Sequence, residues 1–405
     1  MKIPADPSSR RLWIKHPLVG PVFALMASLL GGCSPGTPNG QAVPRPAVPE
    51  VPADSQVVTV FTFDEYTEPE LLREFKERTG IGVELRFYDE TDEMIESLKS
   101  NPGEYDVFLC EDGYIPILAG KRMMKPLDRS KLKNWKNLDP VRLNQPFDPG
   151  NEFTVPYLWG TTLLAYRKDL VPNPRPSWSL IFDPALKDKV CFMNERMECY
   201  AGVLRSMGIN LPEADQAAIS TAADSMVKLV REHGLRLGSE KDVKQYLIEG
   251  SCGLSMMYSG DAARLAAENP SIPLGYFIPE EGATVWTDSF CISRDSTRVE
   301  NAHRFLDFML EANSAAASSN FAHYASPNLA AKPFIDAALL ADETIYPRPE
   351  VLAKCSYFKL RDVDSQRMVN SGWRRVTEAW LERSGQVSNS AGEPEPAPAA
   401  PSLPN

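Results

Sequence analysis

The spacing of hydrophobic and polar residues between positions 57 and 110 switches between a pattern typical of strands and a pattern typical of helices. Apolar runs rich in β-branched residues predict strands, and segments with apolar residues three and four apart predict amphipathic helices. In the first such helix Leu71, Leu72 and Phe75 share one face. Gly80 marks its end. The predicted elements are a strand at 57–61, a helix at 69–78, a strand at 83–87, a helix at 92–99 and a strand at 105–110. This order predicts a parallel sheet with helices on both faces.

A second set of the same kind follows further along the chain. It consists of a strand at 190–192, helices at 198–207 and 217–232, and a strand at 252–257. The chain of 405 residues is too long for one hydrophobic core, so we expect two lobes. Two lobes side by side predict a cleft between them.

The N-terminal segment has the order of an export signal. Basic residues at Arg10, Arg11 and Lys15 precede an apolar run at 19–30 that ends in small residues. The run is too short to span a bilayer. Leu30-Gly31-Gly32-Cys33 resembles the lipobox of bacterial lipoproteins, which implies cleavage after residue 32 and acylation of Cys33. The alternative is an ordinary core cysteine, and the choice between twin-arginine and general export stays open.

Segments of low complexity flank the predicted lobes. Residues 33–56 are rich in proline and predict a semi-rigid tether, and residues 386–405 predict a disordered tail. The net charge of −11 argues against nucleic acid and favours a cationic ligand. Six cysteines follow Cys33, and they allow fifteen full pairings, among which a bridge between the neighbouring Cys191 and Cys199 is one possibility. No Cys-x-x-Cys occurs, so neither a zinc site nor a thioredoxin-type redox motif is supported. We expect no metal and no cofactor.

Acidic and aromatic residues follow the predicted strands. Ligands of open α/β sheets bind beyond the carboxyl ends of the strands, so these residues are candidates for a binding site. The segments are 62–66 (Thr-Phe-Asp-Glu-Tyr), 111–114 (Glu-Asp-Gly-Tyr), 193–198 (Met-Asn-Glu-Arg-Met-Glu), 258–261 (Tyr-Ser-Gly-Asp) and, ahead of another apolar strand, 286–288 (Trp-Thr-Asp). Arginine and lysine are nearly absent from them.

This combination predicts a site for an elongated organic cation. Carboxylates form charge-assisted hydrogen bonds with ammonium groups, and aromatic faces attract cations and cover the methylenes between them. Each acid alone has an alternative structural role as a helix cap or turn residue. The prediction therefore depends on the agreement of five strand ends.

Further segments resemble a known family. They are Leu138-Asp139-Pro140, Phe147-Asp148-Pro149, residues 155–162 (Val-Pro-Tyr-Leu-Trp-Gly-Thr-Thr) and residues 326–331 (Ser-Pro-Asn-Leu-Ala-Ala). Over about residues 57–380 the chain resembles the periplasmic spermidine/putrescine-binding proteins of ATP-binding-cassette importers. The resemblance implies a two-lobed α/β fold of the type II periplasmic-binding-protein kind, in which each lobe is a mostly parallel sheet flanked by helices. It implies lobe 1 at 57–158 with 287–330 returning to it, and lobe 2 at 159–286 with 331–385 returning to it.

The resemblance also implies which residues bind the ligand. The site residues carried over are Phe63, Glu65, Tyr66, Glu195, Glu198, Tyr258, Asp261, Trp286 and Asp288. Glu111 is a departure, because it stands where the family often has a serine. An acid there could shift specificity towards another polyamine or a more highly charged cation, or could be neutralised by Arg86 or Lys121.

The expected function is that of a lipid-anchored, periplasmic solute-binding protein that captures a polyamine by lobe closure. Its partners would be the permease and ATPase of an importer and, through Cys33, a membrane, and we expect a monomer. We do not expect an enzyme, because the sequence has four histidines and none of the common catalytic motifs. The alternatives are a sensor for another organic cation and a hydrolase that uses two of the acids.

Overall fold

The computed structural model describes residues 56–358 and 363–385. The predicted signal segment, Cys33, all but the last residue of the predicted tether and the predicted C-terminal tail lie outside the described residues. Among the helices of the described residues, none is both long and apolar enough to cross a membrane.

Ten strands are present in the described part of the chain. They are β1 (Val57–Thr62), β2 (Gly82–Phe87), β3 (Val107–Glu111), β4 (Met124–Lys125), β5 (Thr154–Arg167), β6 (Val190–Met193), β7 (Arg236–Gly238), β8 (Leu254–Tyr258), β9 (Leu274–Phe277) and β10 (Val285–Ser293). The predicted strands at 57–61, 83–87, 105–110, 190–192 and 252–257 are confirmed as β1, β2, β3, β6 and β8.

The helices of the same residues lie mostly between these strands. They are α1 (Pro69–Thr79), α2 (Thr91–Ser100), α3 (Ile115–Gly120), α4 (Arg196–Ser206), α5 (Gln216–Lys228), α6 (Glu240–Glu249), α7 (Ser259–Glu268), α8 (Val299–Met309), α9 (Ala312–Ala322), α10 (Ala337–Ala341), α11 (Pro349–Leu352) and α12 (Val363–Ser384). Helix α1 illustrates how the sequence determines them. It buries Leu71 and Phe75 and ends at Gly80, which has a left-handed φ of 75°.

The strands form a sheet with the order β2-β1-β3-β10-β5-β8-β6-β7, with β4 beside β10 and β9 beside β5. β1 is parallel to β2 and β3, and β6 is parallel to β7 and β8. The long strand β5 joins the two halves, since residues 154–161 pair with β10 and residues 162–167 pair with β8 and β9. The predicted two-lobed α/β fold is confirmed, and antiparallel pairing is concentrated at the crossing strands.

Each half has its own hydrophobic core. Val60, Leu109 and Phe290 contribute to the core of the first half, which contains β1, β3 and β10. Phe192 and Met256 contribute to the core of the second half, which contains β6 and β8, and α12 packs there as well. The lobe boundaries given above stay predictions.

Strand β10 corrects one expectation. Residues 286–288 were expected ahead of a strand, but all three lie inside β10. All nine residues of β10 are buried, because the strand is paired on both edges and covered on both faces. A strand without solvent contact has no alternating polar pattern, so its start could not be found from periodicity.

A disulfide bond crosses the second half of the molecule. It joins Cys191 on β6 to Cys252, which lies two residues before the adjacent strand β8. The alternative bridge between Cys191 and Cys199 is therefore wrong. The Cys199 thiol is free and donates a hydrogen bond to the Met193 carbonyl oxygen.

Candidate functional site

Asp288 is the central acid of the site. It lies on β10, is 5% exposed, and its Oδ2 accepts a 2.6 Å hydrogen bond from the Tyr66 hydroxyl. Burial and then the charge of Glu111 raise the pKa of Asp288 to about 7, against the opposing effect of the Tyr66 hydrogen bond. The structure thus joins two residues that the sequence analysis predicted as ligand contacts.

Glu111 is brought beside Asp288 by strand pairing. The two residues are directly opposite in the antiparallel pair of β3 and β10. Glu111 Oε1 accepts a 2.9 Å hydrogen bond from the Thr91 hydroxyl, and burial raises the pKa of Glu111. Neutralisation of Glu111 by Arg86 or Lys121 was one of the two alternatives, and among the described residues neither side chain forms an ion pair with Glu111. Arg86 pairs instead with Glu84 and Glu104.

Asp112 follows Glu111 and is almost fully buried. Its Oδ2 accepts a 2.9 Å hydrogen bond from the backbone N–H of Thr287. This bond fixes the loop after β3 against β10, next to Asp288. Burial raises the pKa of Asp112, and the charges of Asp288 and Glu111 add to that effect.

The second half contributes two acids from the start of α4. Glu195 is the N-cap residue, and Glu198 lies in the first turn, where the helix dipole favours negative charge. Glu198 is 4% exposed, and its Oε2 has no hydrogen-bond partner among the described residues. Burial raises the pKa of Glu198 to about 7.

Glu195 faces the acids of the first half. The Glu195 residue is exposed, but desolvation of its carboxyl group by the surrounding protein raises the Glu195 pKa, and the negative charge of Glu111 raises it further. Acids from the two halves therefore share one electrostatic environment. We call this set the cleft carboxylates: Glu111, Asp112, Glu195, Glu198 and Asp288.

The cleft carboxylates are not balanced by paired basic side chains. Within residues 56–358 and 363–385, no lysine, arginine or histidine forms an ion pair with any of them. The guanidinium group of Arg196, next to Glu195, lowers the Glu195 pKa only as a minor contribution. A cationic ligand would supply the missing positive charge.

Aromatic rings form a connected wall beside these acids. Phe63 contacts Tyr66 edge to face at 5.6 Å between ring centroids, and Tyr258 contacts Trp286 in the same way at 5.5 Å. Tyr324 links the two pairs, with its ring 5.0 Å from Trp286 and 5.7 Å from Tyr66. All four predicted aromatic residues thus belong to one group.

Tyr324 was missed by the sequence analysis. It precedes the Ser-Pro-Asn segment at 326–328 that carries the family resemblance, and this position was the available signal. The residue follows His323, whose left-handed φ of 60° ends α9. The turn directs the chain back towards β5, where the Ala325 backbone pairs with Trp159.

Two predicted ligand acids are paired with cations of the protein. Asp261 Oδ1 accepts a 2.7 Å hydrogen bond from Lys244 Nζ, and Glu65 Oε2 lies 3.0 Å from Arg264 Nη2. Lys244 and Arg264 come from helices α6 and α7 and not from the strand ends. The pair of Glu65 and Arg264 joins the first half of the molecule to the second.

No group of three or more histidine, cysteine, aspartate or glutamate side chains in the described part of the chain is arranged to hold a metal ion. The acids and rings described above form one candidate site, in which carboxylates lie beside aromatic surface. Its acidic groups come from both halves, and its apolar surface comes mainly from β10 and the segments around it.

Comparison with known proteins assigns the family. The family model described as bacterial extracellular solute-binding protein matches residues 70–345. The spermidine/putrescine-binding periplasmic protein of Salmonella typhimurium is 30% identical over 304 residues, which are 75% of this chain and 86% of that protein. The putrescine-binding periplasmic protein SpuD of Pseudomonas aeruginosa is 29% identical over 341 residues, covering 80% of this chain and 92% of the relative.

Solved structures are similar over the same region. The spermidine/putrescine transporter substrate-binding protein PotD of Streptococcus pneumoniae has a TM-score of 0.73 and 26% identity, covering 80% of this chain and 99% of that one. The Tp0655 lipoprotein of Treponema pallidum has a TM-score of 0.70 at 22% identity and supports the fold. The chain belongs to the family of bacterial extracellular solute-binding proteins.

Proposed function

We propose that this protein captures a polyamine of the putrescine/spermidine class outside the cytoplasm and delivers it to a membrane importer. The observation that carries the proposal is the Asp288 carboxylate, which accepts a hydrogen bond from Tyr66, lies opposite Glu111 and, like the other cleft carboxylates, forms no ion pair with a cation of the described residues. The similarity to a spermidine/putrescine-binding protein and to a putrescine-binding protein supports the same ligand class.

The ligand would be held by charge and by aromatic contact together. Asp288 and Glu111 would bind an ammonium group from the first half, and Glu195 and Glu198 would bind one from the second half. The rings of Phe63, Tyr66, Tyr258, Trp286 and Tyr324 would cover the methylenes between these groups. Each contact between a cation and a ring contributes about 0.5–2 kcal/mol.

Capture would proceed by closure of the two halves. The acids of β3 and β10 lie on one half and those of α4 on the other, so an amine that contacts both favours the closed arrangement. The crossing strands β5 and β10 connect the halves and would bend during closure. An importer would then distinguish the loaded protein by its closed shape.

We also propose that the protein is tethered to a membrane and that it is not an enzyme. Acylation of Cys33 and the proline-rich segment after it would tether the protein to a bacterial membrane, as a monomer. The protein would bind its ligand without converting it. Incubation with polyamines, followed by mass spectrometry of the amines, tests this point, because any turnover would contradict it.

Isothermal titration calorimetry of the processed protein with putrescine, cadaverine, spermidine and spermine tests the proposed ligand class. We expect saturable binding of at least one amine with one site per protein. Arginine and sodium chloride at matched ionic strength serve as controls. No binding of any of the four amines would overturn the proposal.

A further inference from the structure

Lys244 places a primary ammonium group beside two acids of the second half, Asp261 and Glu240. It lies on α6, and its Nζ donates a 2.7 Å hydrogen bond to Asp261 Oδ1. The two side chains are 30% and 13% exposed, so the pair is largely removed from solvent. Burial lowers the pKa of Lys244, but the charges of Asp261 and Glu240 outweigh it and raise the pKa. The lysine is therefore held as a cation.

Asp261 is adjacent to the aromatic wall. It lies in the first turn of α7, which begins directly after Tyr258. One residue before Asp261, the Gly260 backbone packs so closely on Tyr324 that a Cβ atom there would meet the Tyr324 ring at 2.4 Å. Burial and then the charge of Asp261 raise the pKa of the Tyr324 hydroxyl, so the Asp261 carboxylate lies close to Tyr324, whose ring also contacts Trp286.

The ion pair has the chemistry of the ligand proposed above. A lysine side chain ends in four methylenes and a primary ammonium group, which is also the end group of an alkyl polyamine. Asp261 consequently has the partner that a ligand ammonium would otherwise be. An amine that extended a further charge to this position would meet the Lys244 cation, and the juxtaposition of like charges is unfavourable.

We propose that Lys244 is a specificity-determining residue that occupies the Asp261 position of the cleft in place of a ligand ammonium group. The cleft then selects amines whose charges fit the cleft carboxylates alone and disfavours longer amines with an additional charge. This inference rests on the proposed polyamine-binding function. It differs from that function in predicting an order of affinities among amines.

The variant Lys244→Met removes the ammonium group and keeps a side chain of similar length. We expect it to bind spermine about tenfold more tightly than the wild type, with a smaller gain for putrescine. Lys241→Met is the matched control, because Lys241 is exposed on the same helix and the substitution removes the same charge. The double variant Lys244→Met/Asp261→Asn should lose the gain.

Calorimetric titration of these variants with putrescine, spermidine and spermine at one ionic strength decides the matter. An unchanged ratio of spermine to putrescine affinity in Lys244→Met, or an equal change in Lys241→Met, would overturn the inference while wild-type binding upholds the proposed function. If no variant binds any amine, the proposed function is wrong and the inference fails with it. Lys244→Gln, checked by circular dichroism, provides the same comparison if Lys244→Met does not fold.

Discussion

The hydroxyl group of Tyr66 donates a 2.6 Å hydrogen bond to Asp288, a residue 222 positions later in the chain. The bond joins the loop after β1 to the crossing strand β10. It also orients one Asp288 oxygen, and under the proposed function the other oxygen would bind the ligand. The aromatic wall and the acids of the site are thereby held in one arrangement.

Replacement of Asp288 by asparagine should weaken polyamine binding about 100-fold. Asparagine can still accept the Tyr66 hydrogen bond, so the fold should persist while the negative charge is lost. Calorimetry measures the affinity, and Asp336→Asn is the control, because Asp336 is exposed and in no ion pair among the described residues. Equal affinities in the wild type and Asp288→Asn would remove Asp288 from the site.

Polyamine affinity should rise with pH between about 6 and 8. In the unliganded protein the pKa values of Asp288 and Glu198 are each raised to about 7, chiefly by burial, so both acids are partly protonated below neutrality. An ammonium ligand favours the ionised acids, so binding releases protons, and affinity falls as pH decreases through 7.

Calorimetry at pH 7 in two buffers of different ionisation enthalpy would measure the released protons. Asp288→Asn should release fewer protons than the wild type. A pH-independent affinity with no proton release would show that these acids are already ionised before binding or do not contact the ligand.

Replacement of Glu65 by glutamine should reduce amine affinity by less than about fivefold. The Glu65 side chain is 67% exposed and pairs with Arg264, and exposed ion pairs contribute about 0–1 kcal/mol. Titration of Glu65→Gln and Arg264→Gln should give similar small losses at low salt and smaller ones at high salt. A loss as large as that of Asp288→Asn would indicate direct contact between Glu65 and the ligand.

The substitution Gly160→Ala should displace Trp286. A Cβ atom at residue 160 would lie 2.5 Å from Trp286 Cζ2, well inside contact distance. Overpacking of this kind costs about 1–3 kcal/mol of stability, and we expect amine affinity to fall about tenfold as well. Gly120→Ala is the control, since nothing lies within 4 Å of a Cβ atom there. Unchanged Trp fluorescence and affinity would contradict the prediction.

Reduction of the disulfide between Cys191 and Cys252 should destabilise the second half of the molecule by about 2–4 kcal/mol. The bond ties β6 to the start of β8, and both strands belong to the core of that half. Thermal unfolding with and without dithiothreitol measures the effect. In the double variant Cys191→Ser/Cys252→Ser the reductant should not change the unfolding temperature. If it did, the destabilisation by the reductant would come from a group other than this disulfide.

The elements that have one apolar face and one polar face could be predicted from the sequence. Helix α1 has an apolar stripe, a proline at its start and a glycine at its end, and its bounds agree within one residue. Asp288 and Trp286 were identified by the pattern of acids and aromatic residues and by the family resemblance. The start of their strand was misplaced, because β10 is buried on both faces. The spacing of polar residues along an element reveals which of its faces contacts solvent. A strand that is buried on both faces has no such spacing.

The ion pairs of the site could not be predicted from the strand ends. Lys244 lies 17 residues from Asp261, and Arg264 lies on a different half from Glu65. Their contacts depend on how α6 and α7 pack against the rest of the molecule, which no local sequence period encodes. The same holds for Tyr324, whose ring meets Tyr66 only through the tertiary fold.

The pairing of β5 and β10 changes register between Asp288 and Ser289. Such an irregularity bends a strand locally and increases its twist. Asp288 therefore lies at an irregularity of the sheet that connects the two halves. A ligand bound to its carboxylate would restrain this bend directly, so loaded and empty molecules would differ in stiffness as well as in shape.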